Sequence, residues 1–293
     1  MRAFQNIHPV TAFIYFVCVL LIAMFIGHPI ILAESLVGAV LFCLMLECGK
    51  GFLKNMAFYI PLFLLVSLTN PLFSHNGMTP LFFMNGNPVT LEAVLYGVAI
   101  SAMLVGVIYW FKCYSFIFTS DKFLYLFGKI IPKLSLILSM ALRFIPMFQA
   151  QIKRVNKTQK AMGLYTSKSL VDRFRSATRV FYVMIQWSLE NAVETGNSMR
   201  ARGYGLKGRT HFSLFRFTAR DGTLLGLSVM LAAAVLIGKA LGGAHFAFYP
   251  RIAGNVTTPL SIIIYIAFGG LSLLPFILES EENLKWKYLV SKI

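Results

Sequence analysis

Charge is scarce in this sequence, and negative charge is scarcest. Only 13% of its 293 residues are charged, with 11 Asp and Glu against 27 Lys and Arg. So thin a polar complement, beside 57% hydrophobic residues and a mean hydropathy of +0.71, excludes an ordinary soluble domain and makes the bilayer the solvent. The stretch 119–221 supplies few carboxylates, one histidine (His211) and no paired acid and base, which disfavours a membrane enzyme. Cysteine is limited to Cys18, Cys43, Cys48 and Cys113, none in C-x-x-C spacing, so these read as small core residues rather than disulfides or metal ligands. His8, His28, His75, His211 and His245 stand singly and suggest no metal centre. No G-x-x-x-x-G-K-S/T phosphate loop occurs. Tyr204-Gly205-Leu206-Lys207-Gly208-Arg209 is only superficially like one, so neither ATP nor any other cofactor is expected on this chain. Met1-Arg2-Ala3-Phe4 does not open a signal peptide with a small-residue cleavage site, and the first apolar segment is expected to be retained as an anchor.

Long apolar runs are what the sequence has instead. A hydrocarbon core about 30 Å thick needs roughly 20 apolar residues in a helix. Segments at about 10–26, 29–47, 54–73, 92–118, 222–241 and 257–278 meet that need. An all-α polytopic membrane bundle of about six spans follows. Gly27-His28-Pro29 is short enough to be the tip of a helical hairpin, and 74–90 is a Gly-, Asn- and Pro-rich loop without Lys or Arg. If Arg2 is inside, so are Lys50, Lys54, the stretch 119–221 and the tail with Lys285, Lys287 and Lys292. The opposite loops, 27–28, 74–91 and 242–256, then carry only Arg251. This asymmetry predicts cytoplasmic termini and an even number of spans, and it makes the positive charge a mark of topology rather than of a nucleic-acid partner.

The expected organisation is a membrane part at 1–118, a basic cytoplasmic unit at 119–221, and a second membrane part with a short tail at 222–293. Most of the net charge falls in the middle. Arg143, Lys153, Arg154, Lys157, Lys160, Lys168, Arg173, Arg175, Arg179, Arg200, Arg202, Lys207, Arg209, Arg216 and Arg220 face only Asp172, Glu190 and Glu194. Apolar residues keep helical spacing through Leu134–Ala141 and Val180–Leu189. Three helices are predicted, at about 133–161, 169–176 and 178–201, the first kinked at Pro146. Each long helix should stop at a glycine in the left-handed cap conformation, Gly163 or Gly203.

Those two ends share a pattern. Gln159-Lys160-Ala161-Met162-Gly163-Leu164-Tyr165 and Met199-Arg200-Ala201-Arg202-Gly203-Tyr204-Gly205 each run basic residue, Ala, long residue, Gly. A small Ala permits close approach, the long side chain projects from the last turn, and Gly turns the chain away, as suits a tip inserted into a groove on another protein. The plain alternative is a basic helix C-terminus meeting its own dipole, worth roughly 0.3–1 kcal/mol. Glu34, Lys112 and Lys239, inside or beside apolar segments, are candidates for function or for snorkelling and internal pairing. Tyr109-Trp110-Phe111-Lys112-Cys113-Tyr114 suits an interfacial belt, packing or contact with a partner subunit, Gly242-Gly243 a turn, and Gly269-Gly270 close helix contact.

With His8-Pro9-Val10-Thr11, Asn70-Pro71-Leu72-Phe73 followed by Gly77, Leu142-Arg143-Phe144-Ile145-Pro146 and Ala201-Arg202-Gly203-Tyr204, the sequence resembles the transmembrane coupling (T) component of energy-coupling factor importers. The resemblance implies a non-catalytic subunit in a prokaryotic cell membrane. It would hold a substrate-binding S component and dock on two ABC-type ATPases to drive vitamin or metal-ion uptake. Carried over, Ala201, Arg202 and Gly203 form one ATPase-docking motif and Ala161, Met162 and Gly163 the other, with Met162 where the family pattern has Arg. The competing possibilities are a membrane enzyme acting on anionic lipid and a scaffold holding such lipid at the cytoplasmic face.

Overall fold

A computed structural model describes residues 4–47, 50–74, 76–84, 87–128, 130–163, 170–206, 215–254 and 256–291. Cys48, His75, Leu164, Tyr165, Ser167, Lys168, Lys207, Gly208, Arg209 and His211 lie outside the described residues, as do the side chains of Lys50 and Lys54. The chain forms two compact units, Met1–Phe123 with Phe215–Ile293, and Leu124–Leu214.

The first unit contains α1 (Pro9–Phe25), α2 (Pro29–Glu47), α3 (Lys50–Phe73), α4 (Leu91–Ile117), α8 (Ala219–Ala240) and α9 (Pro259–Val290). Among the described residues, α2, α3, α4, α8 and α9 are long and apolar enough to cross a membrane, as expected from their runs. Two helices depart from expectation. The first, α1, has 17 residues. At 1.5 Å per residue it reaches about 26 Å, short of the hydrocarbon thickness. The second is α6 (Pro132–Ala161), which also meets the length and apolarity requirement although its sequence belongs to the basic insert. Its first half carries Arg143 as the only strong charge after Lys133, and the basic cluster begins at Lys153.

An aromatic core gathers α1, α2 and α4. Trp110 is fully buried, edge-on to Tyr15 and Phe16, and donates its indole N–H to Ser35 Oγ at 3.1 Å. Tyr15 donates its hydroxyl to the Leu271 carbonyl of α9 at 3.0 Å. Thus the stretch 109–114 supplies packing, with Tyr109, Trp110 and Cys113 buried. Helix approach is closest where a side chain would not fit: a Cβ on Gly97 would lie 2.5 Å from Ser67 O, and one on Gly38 would lie 2.9 Å from Ser272 Cβ. Gly269 and Gly270 leave ordinary clearances of 3.8 and 3.9 Å, so that pair is not where the helices come closest.

The two inter-span loops carry short hairpins, β1 (Pro80–Met84) with β2 (Asn87–Thr90), and β3 (Phe246–Ala247) with β4 (Ala253–Gly254). The first is lashed to α4 by the buried Glu92, whose carboxylate accepts from the Thr79 hydroxyl at 2.7 Å. Gly77 has φ of +144°, and a Cβ there would collide with Thr90 and Glu92. Asn70 donates to the Ala93 carbonyl at 2.9 Å, so the Asn70-to-Gly77 stretch closes the α3–α4 connection. Lys239 donates to the Phe25 carbonyl at 2.7 Å and caps α1. Lys112 Nζ lies 5.9 Å from the centre of the Tyr59 ring, and one oxygen of Glu34 is buried without a hydrogen-bond partner among the described residues.

The second unit holds α6 and α7 (Leu170–Ala201), reached through α5 (Ser120–Gly128). The separate helices expected at 169–176 and 178–201 are one continuous helix of 32 residues. Thr178, expected to begin a helix, instead donates its hydroxyl to the Phe174 carbonyl one turn back at 2.9 Å, and no proline or glycine interrupts the join. Helix α6 runs through Pro146 as a single element.

Candidate docking site

Each long helix of the second unit ends as its glycine dictates. Gly203 has φ of +78°, its N–H bonds the Arg200 carbonyl at 3.0 Å, and the Tyr204 N–H reaches the Met199 carbonyl at 2.9 Å. This pair of bonds is the Schellman cap, in which a left-handed residue satisfies carbonyls the helix leaves open. Gly163 has φ of +72° and its N–H bonds the Lys160 carbonyl at 3.0 Å. A Cβ at Gly163 would meet nothing within 4 Å, so its role is conformational rather than steric.

The contacts between α6 and α7 fix where these tips lie. Phe148 packs edge-to-face on Trp187 with ring centres 5.3 Å apart. Ser139 and Arg143 share a pocket with Ser198 and Arg202, whereas Asn156 lines a second one with Arg173. The helices are therefore antiparallel. From that register the two tips stand on the order of 40 Å apart along the pair, at 1.5 Å per residue. Sequence spacing alone gave no hint that the motifs occupy opposite ends.

At the α7 tip, the exposed Arg202 faces a pocket of about 450 Å³ with Arg143, Glu194, Thr195, Ser198 and Tyr204 in its lining. Two of the stretches singled out in the sequence, Leu142–Pro146 and Ala201–Tyr204, meet here. Two guanidiniums, one carboxylate and several hydroxyls suit an acidic or carbonyl-rich partner segment. The added residues Glu194 and Ser198 were legible only as an i, i+4 ladder leading to Arg202 on one helix face. At the α6 tip, Met162 is 68% exposed and presents a flexible apolar group. Ala161 and Ala201 are exposed beside their long neighbours. An apolar groove of about 550 Å³ runs between the helices, lined by Phe148, Ile152, Val180, Phe181 and Met184, with Asn156 and Arg173 also in its wall.

The other two stretches are structural anchors. His8 accepts the Val10 N–H at 3.3 Å and Pro9 opens α1, a helix start that needs no donor from its first residue. Among the described residues no group of three or more His, Cys, Asp or Glu could hold a metal ion.

A membrane bundle interrupted by a strongly basic helix pair with two glycine-ended tips defines a polytopic, all-α membrane protein. Residues 2–212 match the family described as CbiQ, cobalt transport protein, and the chain belongs to that family. It is 36% identical over 107 residues to the energy-coupling factor transporter transmembrane protein EcfT of Brevibacillus brevis, covering 36% of this chain and 40% of the relative. The EcfT of Listeria innocua is 37% identical over 95 residues (32% and 36%), and that of Bacillus selenitireducens 31% over 113 (38% and 42%). The chain thus spans about two fifths of the length of these relatives in the aligned regions.

Proposed function

We propose that this chain is the transmembrane coupling subunit of an energy-coupling factor importer in a prokaryotic cell membrane. Two separate ABC-type ATPases seat on the tips of α6 and α7, and their movement reaches a substrate-binding S component that carries a vitamin or metal ion. The termini and 119–221 face the cytoplasm. The chain itself is not a catalyst. The observation that carries this reading is the pair of exposed, glycine-capped tips at opposite ends of one helix pair, a spacing that gives two partners separate seats. Membership of the family and similarity to EcfT proteins support the choice of partners.

The test is affinity purification of the chain co-expressed with its candidate partners, followed by assays of ATP hydrolysis and uptake. The parent should retain two ATPases and a small membrane protein. Arg202→Ala should lose at least one ATPase while its membrane insertion is unchanged. Full assembly and uptake with Arg202→Ala would refute the role of this tip.

A further inference from the structure

The chain departs for the second unit after Phe123 and comes back at Phe215. The residues flanking both departures are fastened to one short segment, Phe4–His8, whose backbone is gripped by three buried charged side chains from three different helices. Phe4 N–H donates to Glu279 of α9 at 3.2 Å. Lys122 of α5 donates its ammonium to the Gln5 carbonyl at 2.7 Å. His8 N–H donates to Asp221 of α8 at 2.9 Å. The three side chains are 2%, 3% and 5% exposed, so each is withdrawn from water to hold backbone.

The neighbouring contacts stiffen the same segment. The Phe4 ring is buried among Tyr15, Phe16 and Phe42 at centre distances of 5.4, 6.1 and 5.7 Å. The His8 ring stands edge-on to Phe217 at 5.2 Å. The second oxygen of Asp221 takes the N–H and hydroxyl of Thr218 at 2.9 and 2.6 Å, and Thr11 donates to the Asp221 carbonyl at 3.3 Å. Buried charges are poor devices for stability alone, because apolar residues of similar volume commonly do as well. What they supply is a fixed direction and a fixed partner.

We propose that Phe4–His8 is a strap that makes the two connections to the helix pair move as one with the membrane bundle, with Lys122, Asp221 and Glu279 as positioning residues for coupling. The proposal rests on the coupling function above. A strap of this kind lets displacement at either connection reach α1, α8 and α9 rather than dissipate in the linking residues.

The experiment uses the assembled complex with Lys122→Met, which keeps bulk and removes the donor, and Lys122→Arg, which restores one. Assembly should match the parent and ATP hydrolysis should stay within about twofold, while uptake falls about tenfold in Lys122→Met and recovers in Lys122→Arg. Should Lys122→Met not accumulate, Glu279→Met, which keeps bulk and removes the acceptor for the Phe4 N–H, carries the same test. Parental coupling in the accumulated variant overturns the strap, as does a fall in hydrolysis and uptake that merely tracks protein yield. Arg202→Ala assayed in parallel separates the two ideas: loss of ATPase there, with intact coupling in Lys122→Met, removes the strap alone. Failure of the parent to retain any ATPase removes the underlying coupling function.

Discussion

Arg202 and Met162 occupy equivalent places at the two tips, yet they offer a partner different chemistry. Arg202 shares its pocket with Arg143 and Glu194, so a docked acidic or carbonyl-lined groove would meet a polar surface. Truncating one side of a buried charge-assisted contact costs about 2–5 kcal/mol, largely because the other side is left unpaired. Arg202→Lys should rescue only part of the assembly lost in Arg202→Ala, since the ammonium lacks the planar fork of donors. Met162, 68% exposed, has only apolar burial to give. Met162→Ala should therefore weaken assembly by no more than about 1–3 kcal/mol. Met162→Arg strengthens assembly if the groove opposite keeps an acidic partner, and pull-down of the ATPases across the variants ranks these effects. The glycines beside them were legible in the sequence because a left-handed cap is a local demand. The company of Arg143 and Arg202 was not, because it depends on how α6 and α7 pack.

The helices show the same division between local and distant causes. The α8 start reads as Thr218 followed three residues later by Asp221, and the structure has the full reciprocal cap, with each side chain bonding the other's backbone. Thr178 has the same residue type but sits inside α7, bonding Phe174 one turn back. The two threonines should respond differently to alanine. Thr218→Ala should open the first turn of α8 by about 1 kcal/mol, a loss of roughly fivefold in amide protection. Thr178→Ala should change the exchange of α7 by less than about twofold, because no cap is lost. Hydrogen exchange followed by mass spectrometry resolves both. The break expected before Thr178 does not form, and α7 is continuous there. Across 169–178 the sequence offers turn formers at Ser169 and Asp172 and no glycine or proline, and propensity alone does not decide between a break and continuity. The α6 sequence is similarly two-faced, its first half apolar enough for a span and its second half basic.

For the molecule as a whole, the distribution of Lys and Arg supports the proposal of cytoplasmic termini and a cytoplasmic helix pair, and labelling tests it. After replacement of the native cysteines, Asn197→Cys in the exposed last turns of α7 should react with a membrane-impermeant thiol reagent only once the cytoplasmic face is opened. Labelling of intact cells at Asn197→Cys would reverse the orientation. What the sequence determined by itself were properties that a few neighbouring residues decide: that the solvent is lipid, that the secondary structure is helical, where most helices begin, and that α6 and α7 end at Gly163 and Gly203. Hydropathy, helical periodicity and the left-handed freedom of glycine act over one or two turns. It takes the packed fold to set the two tips at opposite ends of an antiparallel pair, to line one pocket with Arg143 and Arg202, and to bind three helices together through Phe4–His8. Those last bonds join residues 275, 213 and 117 positions apart. Such separations are chosen by the packing of the whole bundle, which brings a buried charge to a particular backbone atom and leaves no trace in local composition.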